Sequence, residues 1–135
     1  MSAKKPQAKT PLVSIITATY NDEVYIENSI RSVLSQDFTD FEYIIINDGS
    51  SDGTKKIIER LQKEDSRIRL INQKNSGLVA SLNRGITEAR GTYIARIDGD
   101  DEWLPHKLRT QVTMLEKNKN LVLVGGGAEI INQDS

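Results

Sequence analysis

The sequence predicts an α/β fold in which a mainly parallel β-sheet carries helices on both faces. Short apolar runs rich in β-branched residues, typical of strands, alternate with segments of helical period. The strand segments are almost continuously apolar, as expected where both faces of a sheet are buried. Parallel strands also require crossover connections, which the intervening helices supply. The five predicted strands are residues 12–17, 41–46, 68–71, 93–97 and 121–124.

Four helices are predicted from apolar residues that recur every three or four positions. Asp52 is expected to cap the second helix, and Pro105 to lie in the first turn of the fourth. In chain order, the predicted inner faces are Ile26, Ile30, Val33 and Leu34; Ile57, Ile58 and Leu61; Leu78, Leu82 and Ile86; and Leu108, Val112 and Leu115.

Composition excludes several classes of function. With 18 basic and 19 acidic residues the net charge is -1, so no overall charge favours nucleic acid. The chain has no cysteine and one histidine, His106, which excludes thiolate-held metals and predicts a surface position for His106. No apolar run reaches the roughly 18 residues of a membrane span. We expect a cytoplasmic protein, with peripheral membrane association left open.

The chain ends differ in composition from the rest. Residues 1–10 are polar and lysine-rich, which predicts a disordered leader. Residues 11–135 then form one domain.

Polar segments follow the first four predicted strands, at residues 18–22, 47–52, 72–77 and 98–102. Ligands of parallel α/β sheets bind beyond the carboxyl ends of the strands. We therefore expect these four segments at one rim. Two common nucleotide motifs, Gly-x-Gly-x-x-Gly after the first strand and Gly-x4-Gly-Lys-Ser/Thr, are absent from the sequence.

The last polar segment, Asp-Gly-Asp-Asp-Glu, is the most acidic. Asp98 and Asp100 are two positions apart, so they can point the same way, and Gly99 permits a tight turn between them. Two carboxylates suit Mn²⁺ or Mg²⁺ with open positions for phosphate oxygens. The competing interpretation is a solvated loop that caps the next helix.

Four motifs in order give a more specific indication. They are residues 13–21 (VSIITATYN), residues 46–54 (INDGSSDGT), Asn75-x-Gly77 with Asn83 and Gly85, and residues 91–103 (GTYIARIDGDDEW). Together they resemble the motifs of family 2 glycosyltransferases. The resemblance implies a Rossmann-like GT-A fold and binding of a nucleotide-diphospho-sugar, most often a UDP-sugar. It also implies metal-assisted transfer, with inversion, to a saccharide or lipid-linked acceptor in polysaccharide biosynthesis.

The resemblance also assigns roles to individual residues. The family's base-cradling segment matches residues 18–20, with Tyr20 able to stack on the base, and Asp48 matches the acid that accepts a hydrogen bond from it. Ala18 stands where proline is usual, Asn47 where aspartate is usual, and Ser81-Leu82 where Ala-Arg is typical. The implied nucleotide-binding residues are Ala18, Thr19, Tyr20, Asp48, Asn75, Asn83, Asp98 and Gly99, and the implied metal ligands of the Asp-x-Asp motif are Asp98 and Asp100.

Several of these residues have a structural alternative. Tyr20 can be a packing residue, and Asp48 can be a turn residue because Asn-Asp-Gly-Ser is strong turn chemistry. Trp103 is expected to be a packing anchor beside the site, and Asp101 either orients the acidic loop or caps the helix after Pro105.

The catalytic base remains unassigned. In the family it lies well downstream of the Asp-x-Asp motif, so we expect this chain to be a donor-binding half that ends before the acceptor-binding part. Two rival functions are a receiver-like signalling module on a flavodoxin-like sheet and an inactive interaction module. A receiver, however, groups its acids after the first and third strands, whereas this chain has its densest acids after the fourth.

Overall fold

The computed structural model describes residues 9–131 and contains one parallel four-stranded sheet. The strands are β1 (Val13–Thr19), β2 (Phe41–Asn47), β3 (Ile68–Asn72) and β4 (Tyr93–Arg96), and their order across the sheet is β3-β2-β1-β4. All three neighbouring pairs are parallel. Four predicted strands are thus confirmed to within two residues.

Each connection between strands contains a helix. These are α1 (Ile26–Leu34), α2 (Thr54–Glu64) and α3 (Leu78–Glu88), and α4 (Lys107–Lys117) follows β4. The inner residues of α1, α2 and α4 join the core on one face of the sheet, whereas α3 packs on the opposite face against β1 and β2. The predicted fold class, with helices on both faces, is confirmed. Pro105 precedes α4 by two residues instead of lying within its first turn.

The core explains why the strand predictions succeed. β2 lies inside the sheet, and all seven of its residues are buried. Alternate residues of the four strands face the helices α1, α2 and α4. The largest fully buried members of this core are Val13, Ile15, Ile26, Ile30, Tyr43, Ile45, Ile58, Leu61 and Leu108.

The inner face of α3 differs from the prediction. Leu78 and Ile86 are 54% and 53% exposed, and only Ser81 and Gly85 of this helix are buried. A Cβ atom at Gly85 would lie 2.5 Å from Cγ2 of Ile16, so the glycine allows the helix backbone to approach the sheet closely. Small residues therefore form the contact, and the larger apolar side chains project outward.

The predicted fifth strand is also wrong. Residues 121–124 form no strand, and Val122 and Leu123 are 96% and 82% exposed. A strand needs a partner backbone, and within residues 9–131 the sheet ends at β3 and β4, neither of which pairs with this segment. Most of the predicted leader, residues 1–8, lies outside the described residues. Over residues 9–131, no helix has the length and apolar character needed to cross a bilayer.

Candidate functional site

The loops after β1 and β2 are joined by reciprocal hydrogen bonds. The Asn21 N–H donates to Ser50 Oγ over 3.0 Å, and the Ser51 N–H donates to Asn21 Oδ1 over 2.8 Å. Asn21 has a positive φ of 55°, a conformation that asparagine tolerates better than most residues. The first and second polar segments are therefore held together by hydrogen bonds from backbone N–H groups to side-chain oxygens.

Asp52 strengthens the same junction, two residues before the start of α2. Its carboxylate accepts from the Thr54 N–H over 3.0 Å and from the Glu23 N–H over 3.1 Å. Contrary to the prediction, Asp52 is not the N-cap residue; that position is Gly53, and Asp52, one residue earlier, accepts instead from the N–H of Thr54, the first residue of the helix. Burial would raise the pKa of Asp52, but hydrogen bonds from Thr54 and Glu23 outweigh it and lower the pKa.

Asp48 ties the second polar segment to the third. It is 4% exposed, and its Oδ1 accepts from the Ser76 N–H while its Oδ2 accepts from the Gly77 N–H, each over 2.8 Å. Gln73 Nε2 donates to Oδ1 over 2.8 Å. Burial opposes ionisation of Asp48, yet these hydrogen bonds more than offset it and lower the pKa. The structural role of Asp48 is thus present, and the role in contacting a base stays a prediction.

The close contact between Gly49 and Asn75 confirms that these two segments meet. Gly49 has a φ of +80°, and a Cβ atom there would lie 2.8 Å from the backbone nitrogen of Asn75. Asn75 is exposed in the loop beside this contact, and Asn83 is exposed on the helix α3 that follows. Their roles toward a nucleotide stay predictions.

The loop after β1 also reaches the acidic loop. Ala18 and Thr19 belong to β1, so the loop begins at Tyr20, two residues later than predicted. Thr19 Oγ1 donates to Asp22 Oδ2 over 2.6 Å, and a Cβ atom at Gly99 would lie 2.6 Å from that same oxygen. Tyr20 is 51% exposed at this rim, which leaves its ring accessible. With this contact, all four polar segments meet at one edge of the sheet, as predicted.

The acidic loop is folded back on itself. The Asp101 N–H donates to the Asp98 carbonyl over 3.1 Å, and Ser29 Oγ donates to the same carbonyl over 3.1 Å. The Asp98 carboxylate forms an ion pair with Arg96. Asp100 is exposed, and no hydrogen bond or ion pair joins its carboxylate to residues 9–131.

The acidic side chains repel one another electrostatically. Partial burial, followed by the charges of Asp100 and Asp98, raises the pKa of Asp101. A cation bound among these groups would relieve that repulsion. Asp101 does not cap α4, because that helix begins six residues later, at Lys107.

Trp103 anchors the segment after the acidic loop. Its side chain is buried, its backbone N–H donates to Ser32 Oγ over 3.0 Å, and the Lys107 ammonium lies 4.2 Å from its ring centre. The predicted packing role of Trp103 is confirmed. His106 lies on the surface, as predicted, where its ring contacts Asp37 over 2.8 Å.

The residues present fit a divalent cation that is only partly held by protein. Asp98 and Asp100 offer hard oxygen ligands, and Asp100 keeps both oxygens free of partners within the described part of the chain. No group of three carboxylate or imidazole side chains converges in residues 9–131. Remaining ligands would have to come from water or from the phosphates of a bound molecule.

Sequence reasoning missed three residues that shape this rim. Gln73 holds Asp48, Asp22 contacts Gly99, and Arg96 pairs with Asp98. The signal for Arg96 was available, because residues two apart in an extended segment lie on one side. The contacts of Gln73 and Asp22 cross between loops, and no local pattern reveals them.

This arrangement of four tethered loops agrees with a match to the family model described as Glycosyl transferase family 2, which covers residues 14–134. The chain belongs to glycosyltransferase family 2. Two solved structures share the fold. S. aureus TarS in complex with UDP-GlcNAc is 28% identical, with a TM-score of 0.73 over 78% of this chain and 31% of that chain.

The mannosyltransferase PcManGT from Pyrobaculum calidifontis, in complex with GDP-Man and Mn²⁺, is 25% identical, with a TM-score of 0.73 over 84% of this chain and 34% of that chain. A further relative is the Escherichia coli UDP-Glc:alpha-D-GlcNAc-diphosphoundecaprenol beta-1,3-glucosyltransferase WfgD, 41% identical over 92% of this chain and 48% of its own length. The chain therefore spans less than half of these proteins. Family membership rules out the receiver-like alternative.

Proposed function

We propose that this chain is the donor-binding region of a glycosyltransferase that binds a nucleotide-diphospho-sugar, a UDP-sugar by preference, through a divalent cation. The observation that supports the proposal is the position of Asp98 and Asp100 on a loop tethered at the rim where four strands end. The complexes of TarS with UDP-GlcNAc and of PcManGT with GDP-Man and Mn²⁺ add support from similar folds.

The nucleotide would lie over the loops after β1, β2 and β3. The exposed ring of Tyr20 offers a stacking surface for the base. The family resemblance assigns Asp48 a hydrogen bond with the base, and its carboxylate lies between the second and third polar segments, where Oδ2 accepts from the Gly77 N–H. Asn75 and Asn83 are assigned to the same nucleotide by the family resemblance.

The sugar diphosphate would lie toward the acidic loop. Asp98 and Asp100 would hold Mn²⁺ or Mg²⁺, while Gly99 lets the acidic loop lie close to Asp22. The contact of Gly99 with the nucleotide is assigned by the family resemblance. The chemistry that such an ion supplies, when bound, is neutralisation of the charge that develops on the departing diphosphate. The carboxylates of Asp98 and Asp100 would hold the ion's positive charge in place at the rim.

Transfer with inversion would further require a general base and an acceptor site. We assign neither to residues of this chain, and we place both in the additional length that the relatives possess. The name of WfgD specifies a diphosphoundecaprenol-linked acceptor. A lipid-linked saccharide is therefore the acceptor class we propose here, with peripheral association at a membrane.

Isothermal titration calorimetry with UDP tests the donor-binding proposal. We expect binding in the presence of Mn²⁺ and a loss of at least about a hundredfold in affinity for Asp100→Ala, since metal ligands dominate such sites. Asp40→Ala is the matched control, because Asp40 is a partly exposed carboxylate near the opposite end of the sheet. Absence of UDP binding by the wild-type chain would contradict the proposal and favour an inactive interaction module.

A further inference from the structure

Arg96 and Asp98 form a two-oxygen ion pair at the rim. Arg96 Nη2 lies 2.8 Å from Asp98 Oδ1 and 3.2 Å from Oδ2, and Arg96 Nε lies 3.0 Å from Oδ1. Both oxygens of Asp98 are thus engaged by a guanidinium group. The same oxygens are the ones that a bound metal ion would need.

The ion pair between Arg96 and Asp98 is exposed enough to be broken without rearrangement of the core. Arg96 is the last residue of β4, an edge strand, and the side chains of Arg96 and Asp98 are 52% and 45% exposed. Exposed ion pairs of this kind contribute at most about 1 kcal/mol, or roughly fivefold in an equilibrium constant. A divalent cation with additional phosphate ligands can therefore displace the guanidinium at small cost.

Asp100 behaves differently from Asp98. Its carboxylate has no partner in the described chain, so it is available to a cation without any rearrangement. Arg96 thus pairs with one acid of the acidic loop, Asp98, while Asp100 remains open.

We propose that Arg96 is an exchangeable counter-ion of the donor site. In the absence of a divalent cation it occupies Asp98, and when the cation and donor bind, the guanidinium leaves Asp98 and donates to oxygens of the donor's diphosphate. This inference rests on the proposed function. No covalent bond changes, because one cation replaces another on Asp98 and the released donors find a new acceptor.

Charge and geometry favour the second half of the exchange. A divalent cation only balances the two aspartates, so the diphosphate keeps uncompensated negative charge at the rim. Arginine is suited to that charge, since its planar group can donate two parallel hydrogen bonds to phosphate oxygens. Release from Asp98 would leave those donors unpaired beside the diphosphate.

The exchange predicts opposite effects on two binding constants. Arg96→Met should tighten binding of Mn²⁺ alone by about two- to fivefold, because Asp98 is then free. The same variant should weaken UDP binding at saturating Mn²⁺ by about tenfold, the usual size of a lost charged hydrogen bond. Electron paramagnetic resonance of free Mn²⁺ measures the first constant, and calorimetry with UDP measures the second.

Two further variants separate the exchange from simpler causes. Arg60→Met is the matched control, because Arg60 also pairs with a partly exposed glutamate, Glu27, and neither partner of that pair forms a hydrogen bond or ion pair with the acidic loop in residues 9–131; it should leave both constants unchanged. Arg96→Lys keeps the charge but cannot engage both carboxylate oxygens equally well. If Arg96 acts through two-oxygen pairing, Arg96→Lys should bind Mn²⁺ more tightly than wild type.

The outcomes also separate this inference from the proposed function. If the wild type binds Mn²⁺ and UDP while Arg96→Met behaves like Arg60→Met, the exchange is wrong and the proposed function stands. If both constants weaken in Arg96→Met, the arginine is merely structural, which also overturns the exchange. If the wild type binds neither Mn²⁺ nor UDP, both proposals fail together.

Discussion

The carboxylates at the two ends of the sheet differ in how far partners within the chain satisfy their negative charge. At the amino end, Glu42 is 4% exposed and accepts hydrogen bonds from Ser14, Arg69 and Arg90. At the carboxyl end, Asp98 has one exposed arginine partner, and Asp100 has none in residues 9–131. The charge of Glu42 is therefore satisfied by partners within the chain, whereas the acidic loop keeps negative charge that a ligand can neutralise.

This difference distinguishes structural carboxylates from candidate functional ones. Burial opposes ionisation of Glu42, but hydrogen bonds from Arg90, Ser14 and Arg69 overcome it and lower its pKa to about 2. Such a group stabilises the fold and has little capacity left for a ligand. Substitutions at the amino end should therefore change stability without changing donor binding, and substitutions at the rim should do the reverse.

The largest expected effect is on stability, from Glu42→Gln. Removing the carboxylate leaves Arg69 and Arg90 without their shared partner, and we expect a loss of about 3 kcal/mol in the free energy of unfolding. Urea denaturation measures this loss. Glu59→Gln is the control, because Glu59 forms an exposed pair with Lys55 and should change stability by less than about 0.5 kcal/mol. Equal effects of the two variants would contradict the comparison.

The pH dependence of stability should identify the same carboxylate. The pKa of Glu42 falls from 4.5 to about 2 on folding, so its contribution is present above pH 4.5 and lost as the pH falls toward about 2. We expect the wild type to lose about 3 kcal/mol more than Glu42→Gln over this window. Urea titrations at several pH values measure the difference. If the free energy of unfolding falls equally with pH in the two proteins, Glu42 is not the source of the pH dependence.

Alanine substitutions of Gly91 and Gly99, at the amino and carboxyl ends of the sheet, compare stability with UDP binding more sharply. A Cβ atom at Gly91 would lie 2.5 Å from the backbone nitrogen of Ser14, which cannot move aside easily. Gly91→Ala should therefore cost about 2 kcal/mol of stability and leave UDP affinity unchanged. At Gly99 the nearest atom is the carboxylate of Asp22, a side chain that can shift.

Gly99→Ala should accordingly change stability by roughly 1 kcal/mol or less. It should weaken UDP binding with Mn²⁺ by about tenfold, because displacement of Asp22 disturbs the rim. Thermal unfolding and calorimetry on both variants measure the two quantities. The comparison fails if Gly91→Ala weakens UDP binding more than Gly99→Ala does.

The smallest predicted effect concerns Tyr20. Its ring is half exposed at the rim, so loss of base stacking in Tyr20→Ala should weaken UDP binding by about 1 kcal/mol, or roughly fivefold. Tyr20→Phe retains the ring and should bind UDP as the wild type does. Calorimetry on both variants checks this. A stability loss in Tyr20→Ala, with no change in UDP affinity, would instead support a packing role.

The sequence predicted the sheet well for an identifiable physical reason. Parallel strands buried on both faces are mostly apolar, and β2 shows this in the unbroken apolar run of residues 43–46. The convergence of the four polar segments followed from the topology alone, because all strands run in the same direction. These features depend on pattern, which a sequence displays directly.

The errors arose where tertiary contacts decide the outcome. In α3 the close approach of Gly85 to Ile16 determines the inner face, and the apolar stripe through Leu78 and Ile86 points outward. Residues 121–124 have strand-like composition, but strand formation depends on a partner backbone. Likewise, the contacts of Asp48 with Ser76 and Gln73 cross between loops, and no spacing rule specifies them.

A crystal soaked with MnCl₂ and UDP, with anomalous diffraction recorded at the manganese edge, tests the central contrast most directly. We predict an anomalous peak at about 2.1 Å from carboxylate oxygens of Asp98 and Asp100, with the UDP diphosphate beside it and no manganese near Glu42. A map without manganese at the acidic loop, with Asp98 still paired to Arg96 and Asp100 in contact only with water, would contradict the account.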